Sequence, residues 1–316
     1  MFGRATLGAL GLALRCAVCA VTWTVSWTAA WAQVEPVNVL QRVDAMGDQV
    51  ALLRLADGLD GDLPRVAADH PRMPRHVLQQ ARNVYQRIAQ LRWLNGLETD
   101  DLVPVPPREI EPADVLAVVD QARAALSGLA PVYGVPVVGE LPDRRTQAAP
   151  ANVMAELRSL SAGLSDLGVP DIVPNDVYRI ALALSRHAEG LALARGIEVP
   201  PARQPEGQMR PADVFAEGLL LLEELRQLDD ATGNRLPGGV AVIDRPGGTI
   251  EPGHVIVLLE LTLADLYSLS VALGDERELS YPGAQTGRTP TDVFAQVSRA
   301  RAILTALVAD AQGQPQ

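Results

Sequence analysis

Lysine is missing from the chain altogether, and all 27 strongly basic side chains are arginines. We read this as a bias of nucleotide composition rather than of chemistry. Cysteine occurs only at Cys16 and Cys19, inside a segment that reads as a removable leader. The mature chain would then have no disulfide, no thiolate nucleophile and no thiolate-bound metal. Aromatic residues make up 4% of the chain, and Trp93 is the only tryptophan beyond the leader, so a sugar-stacking platform is excluded. Basic runs are absent too. Beyond the leader, 25 arginines (27 less Arg4 and Arg15) face 38 acids, a net charge of −13. Such an acidic surface excludes nucleic acid and anionic lipid as partners. The 26 glycines form neither a phosphate loop nor a dinucleotide fingerprint.

The leader has three parts. Arg4 and Arg15 supply positive charge, residues 16–28 form a short apolar run, and Ala30-Trp31-Ala32 is a small-x-small cleavage site. Residues 1–32 are therefore expected to be a signal peptide cut after Ala32, with a periodic or repeated domain exported to the periplasm or secreted. The apolar run is shorter than the ~20 residues of a membrane span, and no transmembrane span is expected after cleavage. Neither cysteine sits in a lipoprotein pattern, and no histidine follows Cys16-x-x-Cys19 as haem attachment would require.

What the chain has is a repeat. Eight times a proline is followed three residues later by a valine: Pro36/Val39, Pro74/Val77, Pro112/Val115, Pro150/Val153, Pro174/Val177, Pro211/Val214, Pro252/Val255 and Pro290/Val293. Successive prolines lie 38, 38, 38, 24, 37, 41 and 38 residues apart, a tandem array with one short step. Each proline fits the first position of a helix, where its missing N–H is no loss. Two residues on stands Asn38, His76, Asp114, Asn152, Asp176, Asp213, His254 or Asp292. A short polar side chain there can reach back to the N–H of the residue before the proline. Apolar residues then recur 4, 7, 11 and 14 positions after each valine, a heptad-type seam. Among its forty positions only Gly218 and Thr262 are not apolar.

The fold class predicted is all-α, with eight repeated amphipathic helices of about 18 residues that must pack on one another to be stable. The short step divides them four and four. Pro36, Pro74, Pro112 and Pro150 pair with Pro174, Pro211, Pro252 and Pro290 at offsets of 138, 137, 140 and 140 residues. Two duplicated four-helix bundles over 34–170 and 171–311 follow, a continuous α-solenoid being the alternative. Elsewhere some 20 residues separate one helix from the next proline. These long linkers leave helix direction open and are where function would be sought. The run 255–273 is strongly apolar but contains Glu260 and Asp265, so it reads as a core helix rather than a membrane span.

Candidate chemistry is sparse. His76 and His254 sit at the capping position, His187 lies one residue off its seam, and His70 with His76 lacks a geometry for metal. Glu251-x-x-His254 has the spacing of a di-iron motif without the inward glutamates that such a site needs. The acidic turn containing Asp57, Asp60 and Asp62 lacks the spacing of a calcium loop. No catalytic, cofactor or metal residues are assigned. Tyr178, Phe215 and Phe294 directly follow repeat valines in the second half, where the first half has leucine or methionine. With His187 they mark a candidate ligand site at a bundle end. The expected function is an exported, non-enzymatic binding or scaffold protein that engages a protein partner. A small-ligand or metal-binding sensory module is the alternative.

Overall fold

The computed structural model describes residues 34–143, 145–199, 201 and 205–313; the expected signal peptide lies outside them. Among the described residues there are helices and no strand, so the chain is all-α. The helices are α1 (Pro36–Ala56), α2 (Pro74–Leu94), α3 (Pro112–Ser127), a four-residue α4 (Ala130–Tyr133), α5 (Pro150–Asp166), α6 (Pro174–Ala194), α7 (Pro211–Ala231), α8 (Pro252–Ala272) and α9 (Pro290–Gly313).

All eight long helices begin at a repeat proline. At each, the side chain at the third helical position accepts the N–H of the residue before that proline. The distances run from 2.7 Å for Asp213 on Arg210 to 3.1 Å for His76 on Met73. Thr289 adds the reciprocal half, its hydroxyl accepting the Asp292 N–H at 3.4 Å. All forty seam positions are buried. Thr262 is tolerated because its hydroxyl donates to the Leu258 carbonyl at 2.8 Å. Gly218 leaves room for Leu258, whose Cδ2 would lie 2.7 Å from a Cβ placed there.

Val34–Gln316 form one compact unit. Within it α1 and α2 each pack on α3 and α5, and α6 and α7 each pack on α8 and α9. Each lobe is thus a ring of four in which consecutive helices α1 and α2, or α6 and α7, stand diagonally. Pro36, Pro74, Pro112 and Pro150 with their valines close one end of the first lobe, and the four later prolines and valines close one end of the second. All four helices of a lobe therefore start at the same end and run parallel.

Parallel helices need long returns, and the linkers supply them. On α1, Gln49 holds the Pro136 carbonyl and the Val138 N–H, while the earlier Gln41 holds the Pro142 carbonyl. The chain from Pro136 to Pro142 thus travels back along the helix. On α2, Tyr85 holds the Asp100 carbonyl and Arg82 the later Val103 carbonyl, the same direction. Extended chain covers roughly 3.3–3.6 Å per residue against 1.5 Å in a helix, so a return shorter than the helix suffices. These linkers are fixed by side chains of the helices they cross.

The two lobes meet through α2 and α8, which run antiparallel: Arg75 pairs with Asp265, and Asn83 further along α2 pairs with the earlier Glu260. Because the second lobe points the other way, α6 starts beside the end of α5. The connection needs no return, and residues 167–173 suffice. Helix α8 is enclosed by its own lobe on one side and α2 on the other. Pro112–Tyr133 and Pro252–Ala272 are long and apolar enough to cross a bilayer, but in the second 83% of the apolar window is buried within the protein.

Candidate functional site

Buried polar side chains concentrate on the α2–α8 seam. Arg75, His76, Gln79, Gln80, Arg82 and Arg87 of α2 are buried, as are Glu260, Asp265, Ser268 and Ser270 of α8. Asp265 is the hub. Its Oδ1 accepts Arg75 Nε at 2.7 Å and His76 Nε2 at 2.6 Å, and its Oδ2 accepts the Ala241 N–H at 2.7 Å. The remaining Arg75 donors reach the carbonyls of Pro237 and Gly239 at 3.0 and 2.8 Å. Burial would raise the Asp265 carboxyl, but His76 and Arg75 overcome it and hold its pKa below the ordinary 3.8.

This carboxylate–histidine pair has the look of a catalytic dyad, and its geometry denies the role. His76 Nδ1 accepts the Met73 N–H at 3.1 Å, so the ring proton sits on Nε2 and is given to Asp265. No lone pair remains to act as a base. The buried His187–Ser270 pair is equally occupied. Ser270 donates to the Tyr267 carbonyl at 2.7 Å, so its hydroxyl receives His187 Nε2–H at 2.8 Å rather than being activated by it. Burial pushes the His187 pKa down to about 4, with Asp275 opposing and Arg277 assisting.

The residues expected to form a bundle-end site are placed otherwise. Tyr178, His187 and Phe215 are buried, and Phe294 packs against the core. The Arg288 guanidinium covers the Tyr178 ring at 4.4 Å. The cavity at that bundle end holds about 10 Å³ and is lined only by the repeat prolines and valines, barely room for one water. None of the four residues lines it. His70, considered with His76 for metal, bonds Asp244 at 2.9 Å instead. Among the described residues no group of three or more His, Cys, Asp or Glu is placed to hold a metal.

A larger space opens where α8 begins. A cleft of about 620 Å³ lies between α2, α5, the 167–173 connection and the first turn of α8. Arg87, Arg158, Asn83, Ser165, Gly253 and His254 are among the residues that line it. Arg87 is 6% exposed, donates to Ser165 Oγ at 2.5 Å and the Pro170 carbonyl at 3.4 Å, and makes no ion pair. Burial lowers its pKa, with Asp171 and Asp176 opposing at longer range. Its Nε has no hydrogen-bond partner, nor does Nε of Arg158, whose Nη1 is bonded to Asp69 at 3.0 Å. No family model, curated protein or solved structure matches this chain.

Sequence reasoning missed this cleft because the heptad seam accounts only for packing inside a lobe. One signal was available. In a chain with more acids than bases, α2 carries Arg75, Arg82, Arg87 and Arg92 and no acid. A helix so unbalanced must find its counter-charges on another element or in a ligand.

His76 and His254 offer a controlled comparison, since both cap a helix through Nδ1 while only His76 uses Nε2 against a buried carboxylate. Asparagine serves the cap at Asn38 and Asn152. His76→Asn is therefore expected to destabilise the protein by about 1–3 kcal/mol through the orphaned Asp265 contact. His254→Asn should change stability by less than about 0.5 kcal/mol. Urea titrations of the two variants check this; equal losses would refute the distinction.

Proposed function

We propose that this chain is an exported, non-enzymatic binding protein that takes a small ligand in the cleft between its lobes. The observation that carries the reading is Arg87, a buried guanidinium with no carboxylate partner at the wall of the 620 Å³ cleft. An unpaired buried cation is costly to a fold, and a site that needs it is a reason to keep it. Two further features support the reading: the linkers that cross α1 and α2 are held in place by side chains, and the His76 and His187 pairs are chemically occupied. Export rests on the charged, apolar and small-x-small order of the first 32 residues.

A second reading, capture of a protein partner, is favoured by a separate surface. Trp93, Leu94, Leu55 and Val132 are 75%, 49%, 57% and 48% exposed and share the C-terminal end of the first lobe. Native mass spectrometry of the mature protein after incubation with small molecules from a cell extract separates the two. Ligand binding predicts a retained added mass that Arg87→Met abolishes. A clean apo mass in every extract would overturn it in favour of the second reading.

A further inference from the structure

The cleft is lined by arginines, a helix start and a histidine as well as by polar and acidic side chains. Two guanidinium groups line it, Arg87 and Arg158, and the Nε of each is buried without a hydrogen-bond partner. The first turn of α8 contributes more. Pro252 has no N–H, so Gly253 offers the first free amide of the helix, in a place where a Cβ would meet nothing within 4 Å. His254 Nδ1 accepts the Glu251 N–H at 3.0 Å, which places its proton on Nε2, and this nitrogen has no protein partner. His76 holds a carboxylate through the same tautomer at 2.6 Å. The protein thus already contains a worked example of a capping histidine whose outer nitrogen binds an oxyanion.

Resting on the reading of the cleft as a ligand site, we infer that it recognises a small molecule through one oxyanion group. Arg87, Arg158, His254 Nε2–H and the positive end of α8 are its donors. Helix N-termini and guanidinium groups favour this chemistry for the same reason: both present N–H groups and positive charge that a carboxylate or phosphate can satisfy together. Asp171 and Glu251 are also in the lining but stand exposed at its rim. They disfavour polyanions, which would extend past the donors into negative charge. A single compact oxyanion group reaches the donors without meeting the rim.

The test titrates the mature protein with sodium acetate and with inorganic phosphate at constant ionic strength, following the arginine Nε–H resonances by NMR. The Arg87 signal is expected to shift saturably with one or both anions, and the stronger of the two identifies a carboxylate or a phosphate group. Arg87→Met, which breaks no ion pair, is expected to keep the fold and weaken binding by about tenfold or more. His254→Asn retains the helix cap and should weaken binding several-fold. Gly253→Leu fills open space and should block it. No response to either anion, or binding within about twofold of wild type in both Arg87→Met and His254→Asn, overturns the inference. A neutral or cationic compound retained in native mass spectra without an anion response overturns the oxyanion alone. A clean apo mass with no anion response overturns the ligand site as well.

Discussion

Replacing Asp265 by alanine is expected to lower the stability of the protein by about 3–5 kcal/mol. The carboxylate is fully buried and takes three hydrogen bonds: from Arg75, from His76 and from the Ala241 amide. Its removal leaves a guanidinium that is 1% exposed with only Glu109, at 3.4 Å, as a charge partner. It also leaves His76 Nε2–H and a linker amide without acceptors. Asparagine is no remedy, since its NH2 would face one of these donors whichever way it turned. Much of the loss reflects a stranded charge rather than a lost attraction, so the double variant Asp265→Ala with Arg75→Met should recover part of it. Urea titration at neutral pH measures both. A loss under about 1 kcal/mol for Asp265→Ala would show that the seam is not held by this hub.

The interior of each lobe was legible from the sequence, because the features that specify it are local and repeated. Proline fixes where a helix starts, the polar residue two positions on closes the cap, and the apolar spacing states which stripe is buried. Even Thr262 and Gly218 conform, one through a hydrogen bond within its own helix and the other by making room for Leu258. Helix direction was left open by the spacing, and the structure decides it. Steps of 37–41 residues leave enough chain for an extended return, whereas the step of 24 from Pro150 to Pro174 does not. In the structure the long steps join parallel helices of one lobe, and the short one falls where the chain changes lobe and direction. The α2–α8 seam was not legible in this way. It joins residues 160–190 positions apart, and its members have no common period. Arg75 with Asp265 and Asn83 with Glu260 look like ordinary solvated residues until the lobes meet. The bulk of Tyr178 and Phe215 reports packing within the second lobe, where both are buried, and size by itself does not locate a cavity.

Glu260→Gln is expected to stabilise the protein at alkaline pH by about 3 kcal/mol and to leave it nearly unchanged near pH 4.5. Glu260 is buried against α2, where Asn83 Nδ2 donates to its Oε1 at 2.9 Å. Burial pushes its pKa from 4.5 up to about 7, against the lowering effects of Asn83, Arg179 and Arg158. Tyr281, from the linker after α8, also feels this carboxyl. Between these pH values the folded state holds a proton that the unfolded chain has released. The contribution of Glu260 to stability is therefore full below about 4.5 and lost as pH rises through 7. His187 has the opposite sign: with its pKa lowered from 6.5 to about 4, it favours the folded state above 6.5 and loses that contribution as pH falls. The two slopes oppose one another between pH 4.5 and 6.5, giving wild type a flat profile there. In Glu260→Gln the His187 slope is no longer opposed by Glu260, so stability should climb from pH 4.5 to 6.5 and not decline by pH 8. Urea titrations at pH 4.5, 6.5 and 8 follow both proteins. A constant difference between them at all three values would mean that Glu260 is already ionised in the folded protein. Asn83 also lines the cleft, and ionised Glu260 would set a further negative charge behind it. Anion affinity in wild type should accordingly fall as pH rises through 7, and in Glu260→Gln that fall should disappear.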